Sequence, residues 1–532
     1  MSKYLWITVL IAAVATSALG WAHSKNTTEE ILALIPWPAE VKRGRGEYVI
    51  GKQTRLISSP LAGEVAEMLK ADFFSRFGIT LSVESSENLA GWTLVVRNSK
   101  APFPPMPLPP EDDESYEMLI TPDAVVISSH DRAGLYWGTR TLLQLLRAKG
   151  EEWVLPAVAI RDRPRFPRRN LLVDPARNFI SPAYLKRTVD LLADHKYNVL
   201  HLHLTDDQGW RFDSNSYPRL GEVGGGGVYY TQEQLRELVE YAGKRNIEVL
   251  PEIDMPGHVS AMLAAYPELS CSARPVEVNR RSGIFPHALC PAKEEVYDFI
   301  EVLIGEVADV FPGEFIHIGS DELVASDWES SPACKKLMVE KNLRGKEGLH
   351  AYFLNRVNNI ITKHGKRTIA WGEVTEFAPD GVVVQAWRKR KYAAVSARRG
   401  HETLSSPILT TYLNYSRFIL PLRKCYHFDP VPPDLGMAEK ELILGGGANM
   451  WGNYLKSESE IDRFLFPRLP ALAEVYWSPK ATRNYDHFKK RLGPIRINLE
   501  KRGVKFGDIG FTATKDTFRM AGTLIQAGLI SF

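Results

Sequence analysis

Cysteine is scarce, with four among 532 residues, at 271, 290, 334 and 425. So few in so long a chain do not make a disulfide scaffold. An excess of one charge is also lacking. Lys and Arg number 66 against 63 Asp and Glu, a net +3, which excludes a nucleic-acid footprint or a strongly basic membrane face. Beyond residue 24 no window approaches 18 apolar residues, so no later segment reads as a membrane span. The composition, 44% hydrophobic and 24% charged with 39 Gly and 34 Pro, excludes a collagen, a coiled coil or a disordered chain. Aromatics are plentiful. Twelve Trp and twenty Tyr suit pockets for ligands with apolar faces, sugars included.

The N-terminus reads as an address. Lys3 precedes a charge-free apolar run that ends in small residues before Lys25, the pattern of a secretory signal over residues 1–24. Export to the periplasm or the exterior is therefore expected, with no membrane attachment after cleavage. The alternative is a retained anchor, since Tyr4 to Ser24 spans 21 residues. No Cys follows the run, which excludes a lipid on a Cys there. In an oxidising compartment Cys271 and Cys290 are expected to bridge, closing the turn-rich 18-residue segment SARPVEVNRRSGIFPHAL as a surface loop. Four free thiols are the alternative.

Two textures divide the rest. Residues 30–160 mix strand-like runs (TLSVESS, WTLVVRNS, YEMLIT, AVVISS) with helical stretches over LAGEVAEMLKADFFSRFG and RAGLYWGTRTLLQLLRAKG, which predicts a small α+β domain. Within it the Pro-rich, acidic APFPPMPLPPEDDE is a loop. From 165 to 510 short apolar runs recur, each followed by a helical stretch: 171–174, 198–204, 247–254, 315–319, 368–372, 382–387, 408–413 and 442–451. Runs apolar throughout are strands buried on both faces, and eight of them predict a (β/α)8 barrel. A doubly wound open sheet is the alternative, but no GxGxxG or P-loop follows the first strand.

A barrel places its chemistry where strands end. In order, those ends carry Asp174 and Arg177; His203, Asp206, Asp207 and Trp210; Glu252, Asp254 and His258; His317, Asp321 and Glu322; Trp371 and Glu373; Trp387; Tyr412 and Asn414; Trp451 and Asn453. Indole faces for a ring, with Arg and carboxylates for hydroxyls, describe a sugar pocket. In Asp321-Glu322 two adjacent carboxylates repel, so one pKa is expected to rise into the range of a general acid. Neighbours in sequence are poorly placed to flank one glycosidic bond as nucleophile and acid, so one carboxylate as acid with the other as an orienting group fits better. The bland reading of the pair is a helix N-cap. His201 and His203, two apart on a strand, offer a rival: a zinc-dependent hydrolase.

At these motifs the chain resembles glycoside hydrolase family 20, the exo-β-N-acetylhexosaminidases. The stretches are DPARNF, HLHLTDDQGWR, YTQEQLRELVEYAGKRNIEVLPEIDMPGH, FPGEFIHIGSDE, GGGANMWGNY and FPRLPALAEVYW, with IPWPAEV and GLYWGTRTLLQLL matching the family's N-terminal accessory domain. The resemblance implies a retaining exo-enzyme that removes terminal β-linked GlcNAc or GalNAc from glycans through the substrate's own acetamido group, with no cofactor or metal. It implies Glu322 as general acid and base, Asp321 as the group orienting the acetamido, and Asp206 with His258 as a relay behind Glu322. Arg177 would hold ring hydroxyls, Tyr412 would bond the acetamido carbonyl, and Trp371, Trp387 and Trp451 would wall the sugar.

Three positions depart from the pattern. Ser320 stands before the pair where the family has Gly or Ala. Asn453 replaces a usual Glu, and Asn414 replaces an Asp of many bacterial members. Two carboxylates around the sugar's O4 and O6 become amides, which opens the choice among GlcNAc, GalNAc and 6-sulfo-GlcNAc. The sequence gives no oligomeric state.

Overall fold

The structure, a computed structural model, describes residues 31–98, 113–453, 455 and 457–507. The apolar N-terminal run read as a signal, and all but the last two residues of the Pro-rich segment 101–114, lie outside these residues. Among them no helix is long and apolar enough to cross a membrane. The described residues form two compact units, one of those up to Arg165 with Trp477–Asn498, the other of those in Phe166–Tyr476 with residues 499–507.

Among the described residues the first unit is an eight-stranded, mainly antiparallel sheet with three principal helices, Gly63–Phe77, Arg132–Leu145 and most of Tyr485–Lys501. Asp131 caps the second helix by accepting from the Gly134 amide. Its glycines permit the close approach to the sheet. A Cβ on Gly134 would enter the Ser115 carbonyl, and one on Gly138 would lie 2.6 Å from Ile127. The two longest strands, Glu40–Ile50 and Glu152–Asp162, pair along most of their length.

The second unit is a closed barrel of eight parallel strands: Arg168–Val173, Val199–His203, Glu248–Glu252, Phe315–His317, Arg367–Trp371, Val383–Ala386, Thr403–Ser405 and Ile443–Met450. Helices intervene, among them Pro182–Asp194, capped by Ser181, and Gln232–Gly243, with a Thr231/Gln234 capping box. Seven strands fall where the apolar runs predict them; the seventh in order does not. Residues 408–411 form a helical turn after Pro407, whose carbonyl accepts from the Thr410 and Thr411 hydroxyls, and the strand is Thr403–Ser405. The run is apolar because Ile408 and Tyr412 line a buried aromatic cluster, not because it joins the sheet.

Side chains two apart on a strand share a face, and that period builds the barrel interior in layers. Val199, Leu250, Phe315, Ile369, Val383 and Leu404 form an apolar floor. Two residues further along five of these strands stand His201, Glu252, His317, Trp371 and Gln385, all buried. The eighth strand joins this floor through a bulge. Thr403 pairs with Ile443 but Leu404 with Gly445, leaving Leu444 as the extra residue packed on the floor. Gly445 takes φ +139, and a Cβ there would collide with the Arg168 carbonyl. Gly445→Ala should therefore lower stability by about 2–3 kcal/mol, read as a fall in the urea midpoint at unchanged slope.

Candidate active site

Glu252, the last residue of its strand, is fully buried and gathers its neighbours. Its Oε2 lies 3.0 Å from His201 Nε2 and 2.7 Å from His203 Nδ1, and its Oε1 accepts from the Trp371 indole at 2.8 Å and lies 3.3 Å from His317 Nδ1. Burial acts to raise its pKa, but the imidazoles, His203 foremost, hold it well below the carboxylate range. His203 is held charged: burial acts downward, but the Glu252 charge and the Asp206 hydrogen bond carry it well above the ordinary value. Burial takes His201 the other way, down to about 4.

His203 passes the network outward, its Nε2 lying 2.8 Å from Asp206 Oδ2. Asp206 also pairs with Arg177, which bonds Asp174 at 3.0 Å and packs over the Trp451 ring, 5.1 Å from its centroid. Burial would raise the Asp206 pKa, yet Arg177 and His258 hold it well below normal. His258 has its Nδ1 3.3 Å from Asp206 and 3.2 Å from Asp207, and its Nε2 3.7 Å from Glu322 Oε2. Burial acts to lower its pKa, and the Asp206 charge with both hydrogen bonds lifts it well above normal. Asp207, which sequence reasoning left without a role, thus shares the imidazole and anchors Ser260 through its amide and hydroxyl.

The Asp321-Glu322 loop is held in unusual backbone. Gly319, Ser320 and Glu322 have φ of +63, +72 and +46, and His258 opposite has +53. Non-glycine residues there cost roughly 1–3 kcal/mol each and persist only where surroundings enforce them. A Cβ on Gly319 would fall inside the Asp254 carboxylate. The Ser320 amide donates to Asp254 Oδ1 at 3.1 Å, and its hydroxyl lies 2.7 Å from Nε2 of His350, which burial keeps neutral by lowering its pKa to about 4. The N-cap reading fails, because the next helix, Ser326–Ser330, starts after Ala325. The raised carboxyl is Asp321. Burial is the main cause and Asp254 the main neighbour, with Glu322 contributing least, so repulsion within the pair is not the chief effect. Asp321 is partly exposed as a residue, but its Oδ1 is buried without a partner. The Glu322 side chain keeps 27% exposure.

Aromatic walls complete the site. Trp371, Trp387, Tyr412 and Ile408 form one buried cluster, with Trp451 packed against it. Trp387 and Tyr412 stack at 6.1 Å, and Trp371 and Trp451 lie 5.8 Å apart. Glu373 accepts from the Trp387 indole and pairs with Arg388; burial raises its pKa. Tyr412 is raised well above normal by burial, then by Tyr415 and Asp321. Asn414 is buried with its Oδ1 unpartnered, and Asn453 donates to the Ser282 hydroxyl at 2.9 Å.

Several carboxylate and imidazole triads could bring three ligand atoms to one cation, among them His201–Glu252–His317 and Asp206–Asp207–His258. His203 and His258 are held toward the protonated form, in which an imidazole has no lone pair to give a metal, and this bears only on the triads that contain them; His201, kept neutral, is not so constrained. The bridge Cys271–Cys290 is formed, while Cys334 and Cys425 are free and buried.

Burial pushes the Asp254 carboxyl up to about 8. Its folded value lies above the ordinary one, so the fold favours the protonated form. That contribution is complete below about pH 4 and is lost as pH rises through about 8. Asp254→Asn should flatten the decline of stability between pH 5 and 8, a slope of at most about 1.4 kcal/mol per pH unit for one proton. Urea midpoints across that range measure it.

Residues 166–480 match Glycosyl hydrolase family 20, catalytic domain, and residues 32–163 match Glycosyl hydrolase family 20, domain 2. A beta-hexosaminidase of Porphyromonas gingivalis is 32% identical over 89% of this chain, which spans 64% of that protein's length. The crystal structure of a Flavobacterium johnsoniae chitobiase superposes with a TM-score of 0.80 at 31% identity, covering 90% of this chain and 74% of that one. An exo beta-N-acetylglucosaminidase from Vibrio harveyi, in complex with N-acetylglucosamine, gives 0.79 at 27% identity over 92% and 80% of the two chains. With an eight-stranded barrel carrying the Asp-Glu pair and both family regions matched in order, the chain belongs to glycosyl hydrolase family 20, the family of the beta-hexosaminidases.

Proposed function

We propose that this protein is an exo-acting, retaining β-N-acetylhexosaminidase that removes terminal β-linked GlcNAc or GalNAc by substrate-assisted catalysis. The observation that carries the proposal is the contrast within the pair: Asp321 with a buried, unpartnered Oδ1 and a raised pKa, beside a partly exposed Glu322. The two sit on one strained loop, so they cannot flank a glycosidic bond as a nucleophile and an acid do. The nucleophile is then the substrate's 2-acetamido oxygen, which forms a bond to the anomeric carbon as the bond to the leaving oxygen breaks. Glu322 gives its proton to that oxygen. Asp321 accepts from the acetamido N–H, orienting the group and balancing the positive charge of the cyclic intermediate. Glu322, now a carboxylate, takes a proton from water as it attacks the same carbon, and the ring reopens with configuration retained.

His258, charged and 3.7 Å from Glu322, stabilises that carboxylate after proton transfer; Asp206 and Asp207 keep the imidazole charged and aimed. The proposal gives Trp371, Trp387 and Trp451 to the walls of the sugar, Tyr412 to the acetamido carbonyl and Arg177 to ring hydroxyls. Both terminal nitrogens of Arg177 are tied to Asp174 and Asp206, which fixes its plane before a sugar arrives. The apolar N-terminal run and the Cys271–Cys290 bridge support export.

Glu322→Gln should cut kcat/KM by roughly 100- to 10,000-fold on substrates with alkoxide leaving groups and far less on nitrophenyl glycosides, which need little acid help. Equal losses across leaving groups would remove Glu322 from the acid role. A thiazoline mimic of the cyclised acetamido should inhibit far below substrate KM, since it resembles the species the site stabilises. Product NMR should show retention, and chelator should leave turnover unchanged. An inverted product, or loss of turnover in chelator that added zinc restores, would overturn the mechanism.

A further inference from the structure

Beside the pocket lies a cavity of about 430 Å³ whose wall includes Arg177, Gln208, Arg280, Arg281, Ser282 and Asn453. No carboxylate belongs to that wall, and neither Asp321 nor Glu322 reaches it. Arg177 has its charge met by Asp174 and Asp206. Among the described residues Arg280 and Arg281 form no ion pair, and both are exposed on the loop that Cys271–Cys290 closes.

That loop is held on the site at several points. The disulfide fixes its base. The Asn279 amide donates to the Asp207 carbonyl at 3.0 Å and its side chain to the Ser260 hydroxyl at 2.9 Å, tying the loop to the groups that hold His258. Gln208 donates to the Arg281 carbonyl at 3.0 Å, and Asn453 to the Ser282 hydroxyl at 2.9 Å. Two unneutralised guanidiniums are thus presented over a cavity bordered by an amide and a hydroxyl. Guanidinium forks match tetrahedral oxyanions, and a carboxylate at position 453 would repel the same anion.

We infer that Arg280 and Arg281, with Ser282 and Asn453, form a subsite for an anionic ester, sulfate or phosphate, on the terminal sugar. The inference rests on the hexosaminidase reading above and adds a substrate class to it. The ester sits on a hydroxyl remote from the scissile bond, at O4 or O6, because the cavity borders Arg177 and Asn453 and not the acid. The bond cleaved is unchanged, and the ester leaves on the released sugar.

The test compares kcat/KM for nitrophenyl β-GlcNAc, its 6-sulfate and its 6-phosphate, and for β-GalNAc and its 4-sulfate, in the full-length protein and in Arg280→Ala/Arg281→Ala. A charge-assisted pair at a half-wet rim is worth roughly 5- to 30-fold. The double variant should lose that factor on the esters, through KM, and stay within about twofold on the unmodified sugars. Arg280→Lys/Arg281→Lys should recover part of the loss, and the wild-type preference should shrink in high salt. Whichever ester loses more identifies the source of the anion. An unchanged ratio of ester to plain sugar in the alanine variant, or an equal loss on both, overturns the subsite. A wild type that cleaves none of these sugars instead overturns the hexosaminidase reading itself.

Discussion

The charge of Glu252, buried at the end of a barrel strand, is the constraint on which the site depends. An isolated carboxylate at that depth would cost far more than the fold's margin of stability. It is tolerable because three imidazoles and an indole from neighbouring strands converge on it. Charge then alternates outward, from Glu252 to His203, from His203 to Asp206, and from Asp206 to Arg177 and His258. Each group is ionised because the next one is. The Trp371 wall is fixed by the same carboxylate, so the pocket's shape and its electrostatics share one anchor. A packed apolar floor beneath keeps water away, which keeps these interactions strong.

At the rim the same chain stops being neutralised. Asp254 and Asp321 lie with His258 in one cluster, but His258 is already engaged by Asp206 and Asp207. One cation cannot satisfy four carboxylates, and the two furthest along hold protons instead. The strained loop is what brings Asp321 into this position. Gly319 is required by the Asp254 carboxylate beside it, and Ser320 tolerates a left-handed conformation through bonds to Asp254 and His350.

What sequence could and could not reveal follows from the range of each interaction. Strand periodicity and the rule that barrel chemistry sits at strand ends are local, and they located the Asp-Glu pair, the indoles and Arg177. The strand at 403–405 is only three residues long and was masked by the apolar turn after it. The strand Glu40–Ile50 buries only one of its eleven residues and is charge-rich, so it carries no apolar alternation and exists through its partner Glu152–Asp162. That Glu252 would collect three histidines needs the register of three strands, and that Asp321 would be the raised carboxyl needs the position of Asp254. Neither is a property of adjacent residues. The Arg-Arg dipeptide at 280–281 read as a solvated loop because nothing local says that Asn279 pins it beside the pocket.

Under the proposed mechanism, the unpartnered Asp321 oxygen also explains selection for an N-acetylated sugar. In the free protein burial and Asp254 penalise the charge of Asp321 and raise its pKa well above the ordinary carboxylate value. An acetamido N–H supplies the missing donor, and the positive charge of the cyclised intermediate favours release of the Asp321 proton to water, leaving a carboxylate opposite that charge. Both gains grow as the oxygen–carbon bond forms, so they stabilise the transition state more than the bound substrate. A sugar with a plain hydroxyl at C2 could offer a hydrogen bond but no internal nucleophile and no developing charge. Asp321 would then stay buried and neutral, and its strained loop would return nothing to the reaction. Selectivity for the acetamido group therefore comes from the same desolvated oxygen that makes the free site electrostatically unfavourable.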